Sequence, residues 1–144
     1  MEVDVTKVMI LLQRRYNALR ETGRLTKELE EAIARNDEVS TIMLLQMRAE
    51  ELAKVEQCME EIWQLGESSR EAHEKLTALV TSDLGESVGG NQEEEKVYEI
   101  RRRTQIILDQ LRQADQKLNR KLAGKKSYYN AKELVGKKHE SIVI

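Results

Sequence analysis

AIARNDEVSTIMLLQ, residues 32–46, decides the architecture. A helical pattern runs into this stretch and a stronger one runs out of it, with polar and charged residues between them. Asn36 tolerates the left-handed backbone that ends helices. Asp37 suits the N-cap of a following helix, and Asp37 and Glu38 favour its positive end. The stretch therefore predicts a tight turn at Arg35–Asp37. The alternative is one helix from 5 to 81, more than about 100 Å long at 1.5 Å per residue, which a chain of 144 residues supports only by dimerising.

Working outward, apolar residues before the turn recur in steps of three and four: Val5, Val8, Leu12, Tyr16, Leu19, Leu29 and Ile33. After it the pattern continues through Ile42, Leu45, Ala49, Leu52, Met59, Ile62, Gly66, Ser69, His73, Leu76 and Val80. A third and cleaner stripe follows: Val97, Ile100, Thr104, Ile107, Leu111, Ala114, Leu118 and Leu122. Such spacing places each set on one helix face, and the third resembles a coiled-coil seam. Between the second and third patterns, SDLGESVGGN (82–91) has three glycines and no periodicity, so it reads as a loop. Asn91 and Glu94 are spaced as a capping box. Gly124 reads as a helix stop. The expected fold is all-α: an elongated antiparallel three-helix bundle, or coiled-coil hairpin, with a flexible C-terminal tail. Its helices cover about 5–34, 38–81 and 92–123 within a single domain, 1–124, and the basic tail is 125–144.

Composition agrees with a thin core. Charged residues make up 35% of the chain and aromatics 3%, and there is no proline to break a helix. Residues 37–81 carry four basic and ten acidic groups, whereas 96–124 carry eight basic and three acidic. A basic third helix beside an acidic second one is the expected pairing, with the arginines at 101–103 as its solvated complement. That reading, the net charge of −2 and the lack of interleaved aromatics argue against nucleic acid as a partner. The short apolar run Val8–Leu12 is followed by two arginines, so no membrane span is expected. A lone cysteine, Cys58, builds no disulfide framework and points to a reducing cytoplasm. Glutamates at 56, 60 and 61 disfavour its thiolate. No constellation of His, Cys and carboxylates suggests a metal, a cofactor or a catalytic centre, so an enzyme is not expected.

Two apolar clusters exceed a narrow seam: Val8–Leu12 and IMLLQM, 42–47. A helix apolar on more than one face needs a second partner. Either the bundle covers these clusters or they bind something else. Ile42, Met43, Leu44 and Met47 are therefore candidate exposed apolar residues. On the third helix, Tyr98, Ile106 and Leu108 fall outside the seam and are candidate contacts for a bound helix. In the tail, adjacent Tyr128 and Tyr129 give large contact area at low entropy cost and are candidate anchors for a docking partner.

The stretch RRYNALRETGRLTKELEEAIARNDEVSTIMLLQMRAEELAKVEQCMEEI, 14–62, resembles the N-terminal helical hairpin of flagellar export chaperones of the FlgN kind. The shared features are the A-I-x-x-x-D turn at 32–37, an apolar start to the next helix, and Arg-x-x-x-L from Arg48 to Leu52. A third amphipathic helix and a tail with tyrosines complete the likeness. FliT-type chaperones have a similar, shorter hairpin. The resemblance implies a cytoplasmic chaperone without cofactor. It would bind amphipathic helices of late axial proteins such as the hook–filament junction proteins, keep them unassembled, and hand them to an export gate component. Such a chaperone is expected to be monomeric or weakly dimeric alone. The other reading of the same pattern is a structural coiled-coil adaptor or oligomerisation module with no role in export.

Overall fold

The computed structural model describes residues 3–84 and 90–128, with side chains to Gly124. These residues form four helices and no strand: α1 (Val5–Ala34), α2 (Glu38–Gln64), α3 (Arg70–Thr81) and α4 (Gln92–Tyr128).

The turn at 35–37 follows from four local hydrogen bonds and one backbone angle. Asn36 has φ +56°. Its N–H donates to the Ile33 carbonyl at 3.1 Å, and the Asp37 N–H donates to the Ala32 carbonyl at 2.9 Å. That pair of bonds is a Schellman motif, which satisfies carbonyls the helix end leaves open. Asp37 then caps α2, accepting from the Ser40 N–H at 3.0 Å and the Ser40 hydroxyl at 2.7 Å. The same residues that end α1 thus begin α2.

The second expected helix is interrupted. Instead of running from 38 to 81, it stops at Gln64, and Ser69 caps α3 by accepting from the Ala72 N–H at 3.0 Å. Gly66 is buried in the bend. A Cβ on it would lie 2.9 Å from Leu76 Cδ2 and 3.2 Å from the His73 Cα, so α3 packs against a backbone that only glycine leaves open. The bend brings the Trp63 and His73 rings to 6.0 Å. His73, expected on the seam, is exposed.

Beyond the loop, Asn91 Oδ1 accepts from the Glu94 N–H at 2.9 Å, while the Glu94 carboxylate returns to the Gly90 N–H at 2.9 Å. The reciprocal bond of the expected box therefore reaches one residue further back. At its other end, α4 passes through Gly124 to Tyr128 rather than stopping at 123. One glycine costs a helix only about 1 kcal/mol relative to alanine, which does not by itself end it.

Contacts along α1 give the helix directions. Thr6 bonds Glu93 near the two N-termini, and Glu30 pairs with Lys117 (3.1 Å) and Lys121 (3.3 Å) near the two C-termini, so α1 and α4 run parallel. The tight turn makes α2 antiparallel to α1. Apolar contacts gather at the two ends. One cluster joins Val8, Leu11 and Leu12 of α1 to Ile62, Leu76, Leu79, Val97 and Ile100. The other joins Leu25, Leu29 and Ile33 to Leu44 and Leu118. Val8, Leu11 and Leu12 of the surplus apolar run are therefore core, packed with α3, whereas Ile10 between them is 44% exposed.

Candidate functional site

Between the apolar clusters lies a polar layer. Arg48 of α2 is only 3% exposed and Asp115 of α4 only 4%. Arg48 Nε donates to Thr26 Oγ1 at 2.8 Å, and its Nη2 donates to Asp115 Oδ1 at 2.5 Å. The Thr26 hydroxyl donates onward to the Thr22 carbonyl at 2.7 Å, and the Thr22 hydroxyl to the Ala18 carbonyl at 2.8 Å. Arg48 thus ties all three long helices together. Asp115 Oδ2 is buried and has no hydrogen-bond partner. Burial pushes the Asp115 carboxyl above its ordinary value, and the charge and hydrogen bond of Arg48 offset part of that rise. A buried pair of this kind is near neutral for stability against an apolar replacement, but it penalises any register in which its partners separate.

The charge pattern is corrected by this geometry. Among the described residues, the basic groups of α4 do not pair with acidic groups of α2. Lys117 and Lys121 pair with Glu30 of α1, and the α2–α4 pair has its basic member on α2. The reason is facing: α2 turns most of its glutamates to solvent. The arginines at 101–103 divide. Arg101 donates to the Leu79 carbonyl (3.0 Å) and the Ser82 carbonyl (2.5 Å), closing the C-terminal end of α3, and stacks 5.7 Å from the Tyr98 ring. Arg103 pairs with Glu99 one turn away at 3.3 Å. Burial pulls the Arg101 pKa down. Cys58 is buried; burial first, and Glu61 second, push its thiol up, away from a reactive thiolate.

The outer face of α2 is the reverse of its inner one. Val39 is 78% exposed and Ile42 66%, with Met43 and Met47 also exposed. Their spacing of 39, 42, 43 and 47 lines one face, opposite the face that buries Leu44 and Arg48. Leu44, read from sequence as an exposed candidate, is instead core, packed with Leu29 and Leu118. The turn sets the phase of α2 so that 44 and 48 point inward and the expected seam positions Ile42 and Ala49 point out. Val39 was missed because it stands before the apolar run. Beside this face, Met43 and Leu44 line a dip with Glu28, Glu31, Arg35 and Ser40.

No protein-family model, curated protein or solved structure matches this chain.

The three contacts expected on α4 separate. Tyr98 packs on the cluster around Val97, and Leu108 is half-buried. Only Ile106, 59% exposed, stands open to a partner. The side chains of 125–128, Tyr128 among them, and all of residues 129–144, including Tyr129, lie outside the described residues. No helix among the described residues is long and apolar enough to cross a membrane.

Proposed function

We propose that this protein is a chaperone for amphipathic helices, of the FlgN-like kind that holds late flagellar axial proteins, such as the hook–filament junction proteins, unassembled in the cytoplasm and delivers them for export. The observation that carries the reading is the apolar face of α2, with Val39, Ile42, Met43 and Met47 exposed along about two turns. Leaving such a stripe in water is unfavourable, and a helix laid along it removes that cost. Glu50, one turn past Met47 on the same face and exposed, ends the stripe with a charge. In this reading the 38–64 hairpin arm receives the cargo helix, and the tail with Tyr128 and Tyr129 meets the export gate component.

The test is direct binding. A purified hook–filament junction protein from the same source, mixed with the full chain, should give a defined complex by size-exclusion chromatography with light scattering. The Ile42→Asp/Met43→Asp variant should weaken it at least about tenfold, a difference of about 1.4 kcal/mol, with unchanged circular dichroism. A homo-oligomer that the same variant dissolves, with no complex at any concentration, establishes the adaptor or oligomerisation reading in its place.

A further inference from the structure

A second surface lies on the other flank of α1. An open groove of about 590 Å³ runs between α1 and α4, with no contribution from α2 or α3. Gly23, Ile107 and Ala114 form its apolar floor, and Leu19 and Leu111 lie beneath. Its rims carry Arg20, Arg24 and Lys27 on α1 and Lys117 on α4; the one acidic lining residue, Glu30, is already held by Lys117 and Lys121. Arg24 is held by Glu21 and Glu28, which leaves Arg20 and Lys27 without an ion-pair partner among the described residues. Ile106, exposed one turn before Gln110 on the same face, prolongs the α4 rim.

Gly23 adds an independent observation. A glycine at the centre of a 30-residue helix costs about 1 kcal/mol relative to alanine. Yet a Cβ there meets only Leu111 Cδ2, at an ordinary 3.7 Å. Packing inside this chain therefore leaves room for the methyl group that is missing, and the room opens into the groove.

We propose that this groove seats an amphipathic helix of a partner protein whose flanks are acidic. The lined length of α4, 107 to 117, is about 15 Å at 1.5 Å per residue, three turns of a bound helix. Its apolar face meets Gly23, Ile107 and Ala114, and its carboxylates meet Arg20 and Lys27. The chain's own tail has the wrong charge for this seat, with five lysines and two glutamates in 125–144. A second copy offering its α2 face would make a head-to-tail contact between unlike surfaces, which builds open chains rather than a closed species. The seat is separate from the α2 face, and the proposal stands or falls independently of it.

The probe is a fluorophore-labelled helical peptide of about 18 residues, with leucine and alanine on one face and glutamate on both flanks, compared with its lysine-flanked counterpart. Anisotropy against the full chain should show the glutamate peptide binding at least about tenfold tighter at low salt, with the gap narrowing as salt rises. Gly23→Leu, which fills the floor, and the surface pair Arg20→Glu/Lys27→Glu should each weaken it about tenfold with unchanged circular dichroism. Ile42→Asp should leave its affinity as it was. Equal binding of the two peptides overturns the proposal. So does wild-type affinity in Arg20→Glu/Lys27→Glu, loss of binding in Ile42→Asp alone, or a peptide-free oligomer that those charge reversals dissolve.

Discussion

Helices α2 and α4 use their apolar residues in opposite ways. Every position of the α4 stripe, from Val97 to Leu122, is buried or half-buried. On α2, by contrast, Val39, Ile42 and Met43 face water while Arg48 is inside. The difference teaches that burial of a helix is set by its phase against its neighbours, not by its own most apolar arc. The Schellman turn sets that phase for α2, and Arg48 finds its counter-charge on a helix 67 residues away.

The largest effect expected from testing this contrast is at the polar layer. Asp115→Ala leaves Arg48 buried without a counter-charge and should destabilise by about 3–5 kcal/mol in urea unfolding. Arg48→Met with Asp115→Leu should restore the loss or exceed it. If Asp115→Ala costs less than a surface substitution, α2 is not held by the pair. Next come the two apolar sets. Leu118→Ala, at 1% exposure, should cost about 2–5 kcal/mol, whereas Val39→Ala should stay within about 0.5 kcal/mol. A comparable cost at both positions erases the difference between the helices. Gly66→Ala comes third: the added methyl overlaps Leu76 Cδ2 at 2.9 Å, and overpacking of this kind typically costs about 1–3 kcal/mol. Its loss should appear first in amide exchange of α3.

The smallest effect separates two carboxylates by pH. Asp37 is held below its ordinary 3.8, chiefly by the hydrogen bond from the Ser40 N–H. Its stabilisation is present above pH 3.8 and is lost as pH falls through its lower folded value. Asp115 is raised, so its contribution runs the other way: present below 3.8 and lost as pH rises through its higher folded value. NMR titration of the two side chains should give shifts of opposite sign about 3.8. Shifts of the same sign contradict the assignment.

The contrast also separates what was legible in the sequence from what was not. The turn at 35–37 was legible because Asn36 and Asp37 act through bonds to residues within five positions. The α4 seam was legible because its period is unbroken. The bend at 65–69 was not, since Ile62, Gly66, Ser69, His73 and Leu76 keep helical spacing across it. Its signals were Gly66 followed by a serine cap, both compatible with a continuing helix until the packing of Leu76 on Gly66 is known. The inward Arg48 was invisible for a similar reason. A charged residue reads as solvent-facing unless its partner is located, and Asp115 sits beside the α4 stripe rather than on it. Of the surface candidates, Ile42, Met43, Met47 and Ile106 were readable as apolar residues in excess of a seam. The α1–α4 groove was not, because its rims are charges assigned to solvent one helix at a time.

The short turn after α1 also orders events in time. Arg48 and Thr26 are 22 residues apart, Arg48 and Asp115 67. Closing the shorter loop first is favoured by about 1 kcal/mol of chain entropy, from the logarithm of the two lengths. Helices α1 and α2 are therefore expected to meet while α4 is still unattached, giving a hairpin that exposes the α4-facing flank of α1 to any helix nearby. Asn36→Ala should then slow folding with little change in unfolding, and Leu118→Ala should speed unfolding with little change in folding. A reversal of those two signatures in stopped-flow kinetics would place α4 in the nucleus instead.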